Sequence, residues 1–482
     1  MPVTTGLAHR ACSRRALLRV AALTTAVLAL GGCTLSIPGR GSGPARAPVA
    51  LHLYYGPFST VGSSTPPEAT LLATILDQFH QHNPSISVTA TSLDGLDGGS
   101  LAQLFNPFSS DHGDLFLSLA TLPSMAIDQV PVSLTNVITP VDQYLKRDRA
   151  VTAAAFYPAA IERSTIDGHV IGLPRDIQPE QVVLFNRTLL QQAGLPSPAD
   201  GWSLDDFVRL TQEIVRASAV RQPPATRYGY VDESAETSFY DFIYLAGGRR
   251  TTLPPAPPRI TLDATPAISG AQAYVDLYMR YQVAASPSER GGLYEGDPLI
   301  DFMLGHVPLF VSPVSALSTL HSMQRPLDWD LTMLPVALGV KEAWYGAGAA
   351  VYLARISRHL DEAWTLTKDL CAGPGMTQRA QTGDVHPAVK AVAESSAYLG
   401  SGGPAGRHLF NSIGMEHLIP VDPAVSLARL GLTGGQLGPH QPHYPAAAAV
   451  IHAALDDMLA GTQQVATVLR QATQAGNIGL PS

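Results

Sequence analysis

Lysine is scarce in this 482-residue chain, which contains four: Lys146, Lys341, Lys368 and Lys390. Lysine and arginine together number 31 against 39 aspartates and glutamates, a net charge of −8. Four of the 31 basic residues lie in residues 1–32, which carry no acid, so the remainder has 27 basic residues against 39 acidic ones. Proteins that bind phosphate backbones cluster their cations, and this sequence has no basic run. The composition excludes nucleic acid as the main partner.

The N-terminus lacks an apolar run of the ~20 residues that a membrane-spanning helix needs. Its mainly apolar stretch, Val20–Leu30, follows four arginines within residues 10–19. This arrangement predicts a signal peptide over residues 1–32, with a short membrane anchor helix as the alternative. The segment Ser13–Leu18 (SRRALL) also resembles a twin-arginine signal, so the Sec and twin-arginine routes both stay open.

Cysteine occurs only three times, at Cys12, Cys33 and Cys371. The segment Leu30–Cys33 (LGGC) resembles the bacterial lipobox, whose cysteine accepts diacylglycerol and becomes the first mature residue. Cys371 would then be the only remaining thiol, so no intramolecular disulfide is expected. Residues 33–48, rich in Gly, Pro, Ser and Arg, are expected to form a flexible tether. The protein should therefore be exported and lipid-anchored to the outer face of the cytoplasmic membrane.

Catalytic sequence patterns are also missing. The chain has no G-x-S-x-G, H-E-x-x-H, P-loop or complete G-x-G-x-x-G pattern. Its 15 histidines are scattered, without the spacing of metal ligands. We therefore expect no enzymatic activity, no cofactor and no metal site.

Strand and helix patterns alternate along the body of the chain, which is long enough for two or more cores. Val49–Tyr55 has strand character, a helical apolar spacing starts at Pro66–Pro67, and Ile86–Ala90 alternates as a second strand. Leu115–Leu119 has the length of a buried parallel strand. This order predicts an α/β fold, in which ligands bind outside the carboxyl ends of the strands.

Further helices are indicated by their first residues. Ser203 and Asp206 fit a capping box, and Trp202 with Phe207 has the spacing of a hydrophobic staple, so Trp202 is interpreted as structural. Thr265–Pro266 should begin another helix. A final amphipathic segment, Ala446–Leu469, is interrupted by Gly461.

A series of motifs then follows in a fixed order. They are Phe156–Ile161 (FYPAAI), Asp167–Pro174 (DGHVIGLP), Val183–Arg187 (VLFNR), Ala193–Pro196 (AGLP), Tyr228–Gly229, Leu245–Gly248 (LAGG), Phe302–Gly305 (FMLG), Leu334–Pro335 and Ala363–Trp364. This order resembles the family 1 extracellular solute-binding proteins of ABC importers, the maltose-binding-protein class, over nearly all of residues 49–475. Ser312–Ser315 (SPVS) stands where sugar-binding members often have Gly-Pro-Trp.

The resemblance implies a type II periplasmic-binding-protein-like fold, with two α/β lobes and a ligand cleft between them. It places the N-terminal lobe at residues 49–176 and 314–343 and the C-terminal lobe at 177–313 and 344–482. The chain would first cross near Ile177–Pro179, return around Phe310–Pro313 and cross again near Trp344–Gly346. The implied partners are a small solute, the transmembrane subunits of an ABC permease, and the membrane through the lipid anchor. The protein is expected to be a monomer.

Candidate ligand-binding residues follow from position in this expected fold. Aromatic faces would pack on the C–H faces of a sugar, and charged side chains would bind its hydroxyls. The candidates are Tyr55, Phe58, Thr121, Arg175, Asp176, Glu180, Glu236, Tyr240, Trp344 and Tyr345. For Trp344 and Tyr345 the alternative is packing between the lobes, with or without ligand.

The favoured function is capture of a carbohydrate or sugar-like solute by lobe closure. Two alternatives stay open at this point. One is a binding protein for a non-sugar solute such as a polyamine or peptide. The other is a secreted glycoside hydrolase that uses Asp176 and Glu180 as an acid/base pair.

Overall fold

The computed structural model describes residues 48–56, 66–93, 104, 112–119, 137–166, 168–179, 181–199, 201–219, 228–252, 259–285, 297–314, 316–321, 323, 327–336, 344–383, 385–399, 418–419 and 444–480. The predicted signal peptide, Cys33 and the tether up to residue 47 lie outside these residues. Within the described part of the chain, no helix is both long and apolar enough to cross a membrane.

Among the described residues, six strands have five to seven residues and nine have two to four. They are β1 Val49–Tyr55, β2 Ile86–Ser92, β3 Leu115–Leu119, β4 Ile138–Thr139, β5 Thr165–Ile166, β6 His169–Val170, β7 Leu173–Pro174, β8 Gln178–Pro179, β9 Gln181–Asn186, β10 Val231–Asp232, β11 Leu309–Pro313, β12 Trp329–Thr332, β13 Trp344–Ala347, β14 Ala349–Ala354 and β15 Leu418–Ile419.

The α-helices alternate with these strands, and a 3₁₀ turn spans Ala153–Ala155. They are α1 Pro66–His82, α2 Asp142–Arg147, α3 Pro158–Arg163, α4 Arg187–Ala193, α5 Leu204–Ala219, α6 Ala235–Leu245, α7 Thr265–Met279, α8 Pro298–Met303, α9 Ala316–His321, α10 Leu360–Ala372, α11 Pro374–Ala380, α12 Lys390–Ala393, α13 Ser396–Leu399, α14 Tyr444–Leu459 and α15 Val465–Gly476. The mixed α/β class predicted from the sequence is confirmed.

Two sheets form the centres of two layered bodies. The first has the order β2-β1-β3-β14-β4, with β7 also paired to β14, and the second has the order β10-β11-β9-β12. In the first sheet β1, β2 and β3 are parallel and β14 runs against β3. In the second, β10 and β11 are parallel and β9 runs against β11 and β12. Helices α1, α10 and α11 pack around the first sheet, while α7 contacts α6, α14 and α15 beside the second.

The capping box predicted from the sequence fixes the start of α5. The amide of Asp206 donates to Ser203 Oγ at 3.1 Å, and the amide of Ser203 donates to Asp206 Oδ2 at the same distance. The Trp202 ring meets Phe207 edge-on with centroids 5.4 Å apart, and its Nε1 donates to the Met333 carbonyl at 2.8 Å. The structural role predicted for Trp202 is confirmed.

Asn186 is the last residue of β9 and also the N-cap of α4. Its Oδ1 accepts from the amide of Leu189 at 3.0 Å, and the side chain is almost fully buried. We expect Asn186→Ala to lower the free energy of unfolding by about 1 kcal/mol in urea denaturation, because that amide loses its acceptor. Asn186→Ser keeps a capping oxygen and should recover most of the loss. Equal stability of the Ala and Ser variants would contradict the capping role.

The sheet pairing corrects three parts of the expected lobe division. Phe310–Pro313 was expected to return to the first lobe, but β11 lies in the middle of the second sheet, antiparallel to β9. Residues 314–343 were expected in the first lobe, yet β12 pairs with β9. Residues 344–482 were expected in the C-terminal lobe, yet β14 pairs with β3, so the chain returns to the first sheet there. Short apolar strands such as these carry no local mark of the sheet they join, which explains these errors.

Candidate functional site

The carboxyl ends of the parallel strands in the first sheet lie at one edge. Tyr55 ends β1 beside Ser92, the last residue of β2. The Tyr55 carbonyl accepts from the amide of Leu93 at 2.9 Å, and its side chain is half-buried. Tyr55 therefore stands where the sequence predicted it, at the edge where α/β sheets bind ligands. Phe58 and Thr121 fall outside the described residues.

A two-stranded ladder joins this edge to the second sheet. Strand β8 follows β7 and precedes β9, and it pairs antiparallel with β13, with Pro179 opposite Gly346 and Gln178 opposite Ala347. Strand β13 leads directly into β14 of the first sheet. We call β8 and β13 the crossing ladder. Trp344 and Tyr345 supply the part of β13 that pairs with β15, whereas their side chains, and all of Glu180, are outside the described residues.

Arg175 and Asp176 form a buried ion pair at the first-sheet end of this ladder. Arg175 Nε donates to Asp176 Oδ2 at 2.6 Å, and Asp176 Oδ1 accepts from the amide of Ala349 at 2.8 Å. Asp176 is 3% exposed. Both carboxylate oxygens are thus bound within the protein, so this geometry favours a structural role for the pair over the predicted contact with ligand.

The facing edge of the second sheet holds a polar cluster that sequence reasoning missed. Strands β10 and β11 are parallel and β9 is antiparallel, so Asp232, Pro313 and Gln181 meet at one edge. Next to them Ser312 Oγ donates to Glu233 Oε2 at 2.9 Å. Burial raises the pKa of Glu233, the Ser312 hydroxyl opposes this effect, and the Asp297 carboxylate adds to it. Glu233 is half-buried and Ser312 fully buried.

One of these residues had a signal in the sequence. Ser312 begins the segment that stands in place of Gly-Pro-Trp in the family that the sequence resembles, and the structure places a hydroxyl–carboxylate pair there. Nothing in the sequence marked Glu233, which follows a two-residue strand too short to recognise by periodicity.

Glu236 and Tyr240 lie four residues apart on α6, and the structure gives them different surroundings. Glu236 lies in the first turn, and its Oε2 is 3.1 Å from Nδ1 of His452 on α14. Tyr240 is 5% exposed, and the Arg250 guanidinium carbon lies 3.3 Å from its ring centroid. Burial raises the pKa of the Tyr240 hydroxyl. Tyr240 packs inside the second body, and Glu236 stands nearer its surface.

Among the described residues, no group of three His, Cys, Asp or Glu side chains is placed so that it could hold a metal ion. Cys371 is a free, buried thiol. Burial raises its pKa far above the ordinary range, which makes the thiol inert as a nucleophile or ligand.

Comparison with solved structures places this geometry among known proteins. The chain is similar to the ABC substrate-binding protein Lmo0181 of Listeria monocytogenes in complex with cycloalternan, at 16% identity and a TM-score of 0.65, covering 90% of this chain and 99% of that one. It is similar to maltose-bound MalE3 of T. maritima, at 16% identity and TM-score 0.63, covering 88% and 98%. It is also similar to UgpB of Mycobacterium tuberculosis in complex with glycerophosphocholine, at 18% identity and TM-score 0.64, covering 89% and 97%.

No family model and no curated protein sequence matches the chain. The three neighbours are covered almost completely, so the match extends over whole folds and not over one lobe. The chain therefore has the two-lobed fold of ABC-transporter substrate-binding proteins, and the fold expected from the motif order is confirmed.

Proposed function

We propose that this protein is a family 1 solute-binding lipoprotein of an ABC importer that captures a carbohydrate or sugar-like solute. The observation that carries the proposal is the position of the two strand edges. Both edges lie beside the crossing ladder, and the edge of the second sheet carries the hydrogen-bonded Glu233–Ser312 pair. Substrate-binding proteins with this fold bind cycloalternan, maltose and glycerophosphocholine, so most of these neighbours carry sugars.

The first lobe is assigned to residues 49–176 with 349–399, and the second to residues 181–336 with 444–480. Sheet pairing and helix packing support these bounds. Each lobe offers a solute only part of its contacts, so the solute stabilises the closed arrangement and shifts the population towards it. The permease can then distinguish loaded from empty protein by shape.

Glu233 is the strongest candidate for a ligand contact in the second lobe. Its carboxylate accepts from Ser312 through one oxygen and has further capacity for hydroxyl donors. In the first lobe the candidate is Tyr55, whose ring can pack on the C–H face of a sugar. Trp344 and Tyr345, on the crossing ladder between them, complete the proposed site.

Delivery to the membrane rests on the N-terminal sequence. The LGGC segment ending at Cys33 supports lipidation, and the tether to residue 48 would hold the folded body off the membrane as a monomer. Its partners would be the permease subunits, to which it hands the solute. Export by the Sec or twin-arginine route is compatible with the same segment.

A ligand screen tests the proposal. We expect thermal-shift and calorimetric titrations to find a saturating solute among maltose, maltotriose, cycloalternan, D-tagatose and simple glycosides. Spermidine, a tetrapeptide and glycerophosphocholine serve as the non-sugar arm. Saturation only in that arm would replace the sugar by another solute. Saturation in neither arm would contradict solute capture.

Glu233→Ala should weaken binding of the best sugar in this screen by roughly tenfold or more, because a charge-assisted hydrogen bond is lost. The melting midpoint of the empty protein should move little, since the Ser312 hydroxyl also lies 3.3 Å from the Pro313 carbonyl. Asp205→Ala, which removes an exposed acid from α5, is the matched control. Equal affinity in Glu233→Ala and the control would remove Glu233 from the site.

Glycoside hydrolysis is the weaker alternative. It requires Asp176 to exchange protons with a substrate, but the Asp176 carboxylate is already bound by Arg175 and the Ala349 amide. The structural neighbours are transport proteins. Turnover of aryl glycosides that disappears in Glu180→Gln would favour the hydrolase.

A further inference from the structure

Strand β10 has little backbone pairing with which to hold the residue that follows it. It is two residues long, stands at the end of the second sheet, and pairs Val231 with Phe310 and Asp232 with Val311. The Glu233 amide adds one bond, to the Val311 carbonyl at 2.9 Å. A slip by one residue would turn each side chain to the opposite face of the sheet. So short a strand therefore needs a further anchor to keep Glu233 in place.

The side chain of Asp232 is bonded to a neighbouring helix. It is fully buried, and its Oδ2 accepts from the Tyr274 hydroxyl at 2.5 Å and from the Tyr278 hydroxyl at 3.1 Å. The two hydroxyl oxygens lie 2.8 Å apart. Both tyrosines are on α7, and because they are four residues apart they share one face of it. Hydrogen bonds from hydroxyls to a carboxylate are roughly twice as strong as those between neutral groups, so these contacts anchor β10 to α7.

Helix α7 is itself fixed within the second body. Tyr274 is fully buried, and its ring centroid lies 5.2 Å from that of Phe242 and 6.2 Å from that of Phe239, both on α6. Just before α7, the amide of Asp263 donates to Thr473 Oγ1 on α15 at 3.0 Å. The tyrosine hydroxyls therefore belong to a firmly packed support.

Asp232 and Glu233 make their contacts on opposite faces of the second sheet. Asp232 pairs with Val311 and reaches α7, whereas the next residue of β11, Ser312, donates to Glu233. Successive residues of an extended segment alternate between the two faces. A register that is set by Asp232 on the α7 face therefore sets Glu233 against Ser312 on the other face.

We propose that Asp232 is a positioning residue, which fixes the register of β10 through the hydroxyls of Tyr274 and Tyr278 and thereby holds Glu233 against Ser312 in the solute site. Asp232 does not itself touch the solute. This inference rests on the solute contact proposed for Glu233 and adds the residues that hold it in place.

The test uses the full chain and begins with two measurements that need no solute. Hydrogen exchange reports the protection of the Glu233 amide, and the Thr252 amide, which donates to the Arg259 carbonyl at 2.9 Å, reports any general loosening of the second body. NMR titration of isotope-labelled glutamate side chains follows the pKa of Glu233, whose resonance is identified by its absence in Glu233→Gln. Burial raises that pKa, so it should fall when the side chain moves into water.

Asp232→Leu removes the anchor but keeps a branched side chain, and the two tyrosine hydroxyls can still bond to each other. We expect the Glu233 amide to exchange ~10-fold faster or more and the pKa of Glu233 to fall, while the Thr252 amide exchanges as in the wild type. Asp232→Asn keeps an oxygen acceptor and should recover most of the protection. Tyr281→Phe, which removes the hydroxyl of a half-buried tyrosine just after α7, is the matched control and should change neither measurement.

Calorimetric titration with maltotriose extends the test to binding. Asp232→Leu should weaken binding ~5-fold or more, but it should have no further effect in Glu233→Ala, where there is no carboxylate to misplace. An equal loss in both backgrounds would mean that Asp232 acts by another route, which overturns the positioning role. Should maltotriose not bind to the wild type, that failure concerns the proposed sugar capture, and the two measurements without solute still decide the inference.

Wild-type exchange and a wild-type pKa at Glu233 in Asp232→Leu overturn the proposal. So does an Asp232→Asn protein that behaves like Asp232→Leu, because the tyrosine hydroxyls would then not hold the strand. Should Asp232→Leu fail to fold, Tyr274→Phe decides in its place. Loss of the 2.5 Å bond should speed exchange of the Glu233 amide ~3-fold or more, and unchanged exchange would again overturn the proposal.

Discussion

Gly270→Ala is expected to destabilise the second lobe by about 2 kcal/mol or more, although alanine is the better helix former. A Cβ at this position of α7 would lie 2.2 Å from the Phe242 carbonyl oxygen and 2.7 Å from the Ile243 Cα, both backbone atoms of α6. Overpacking costs typically 1–3 kcal/mol and sometimes more, whereas helix propensity returns about 1 kcal/mol. Because backbone cannot turn aside as a side chain can, the clash prevails.

The melting midpoint measures this effect, and it should fall by roughly 4 °C or more. Ser269→Ala is the control, since it creates the same residue one position earlier on an exposed part of the same helix. That variant should keep the wild-type midpoint or raise it slightly. A Gly270→Ala protein as stable as Ser269→Ala would mean that α6 and α7 separate at little cost, contrary to their close packing.

The sequence predicted correctly the strands and helices that are marked by residues within them or next to them. β1 and β3 have the predicted bounds, α1 begins at Pro66 as expected, and the cap and staple of α5 follow from four residues. The placement of β11 and β12 was wrong because sheet membership depends on partners far along the chain. Leu309 pairs with Phe185, more than a hundred residues earlier, and no short-range pattern carries that information.

The same distinction separates the fold from the site. Motif residues that carried the family resemblance are structural: Asn186 caps α4, Arg187 pairs with Asp328 and Asp330, and Trp364 donates to Asp148 at 3.1 Å. Each of these contacts joins separate elements of the fold. Glu233, the proposed ligand contact, lies outside every motif that carried the resemblance, so the resemblance could not mark it. Tyr240, a candidate chosen by position, is 5% exposed and packs against the Arg250 guanidinium.

Between pH 6.5 and 4 the protein should lose roughly 3 kcal/mol of stability through His386 alone. Burial lowers the pKa of His386 from 6.5 to about 4, against the opposing effects of the Pro387 carbonyl and the Asp176 carboxylate. Below pH 6.5 the unfolded chain takes up a proton at this histidine, whereas the folded protein does so only near pH 4. The unfolded state therefore binds more protons in this interval, and stability falls as the pH falls.

Urea unfolding between pH 4 and 7.5 measures this loss, and His386→Gln isolates it. The variant starts from lower stability, because the ring fills the space between Tyr157 and Tyr398, but its stability should vary less with pH over the same interval. His452→Gln is the control, since its side chain is 79% exposed, and it should keep the slope of the wild type.

The Asp148 carboxylate contributes to the pH dependence of stability at lower pH than His386 does, so the two contributions can be measured separately. Burial alone would raise the pKa of Asp148, but hydrogen bonds from Lys368, Trp364 and two backbone amides lower it well below its ordinary value. Its contribution is complete above the unfolded pKa near 4 and is lost only at lower pH. The free energy of unfolding of His386→Gln could still vary with pH between 4 and 6.5 as steeply as that of the wild type. The pH dependence would then come from another group, and His386 would not be a buried, neutral histidine.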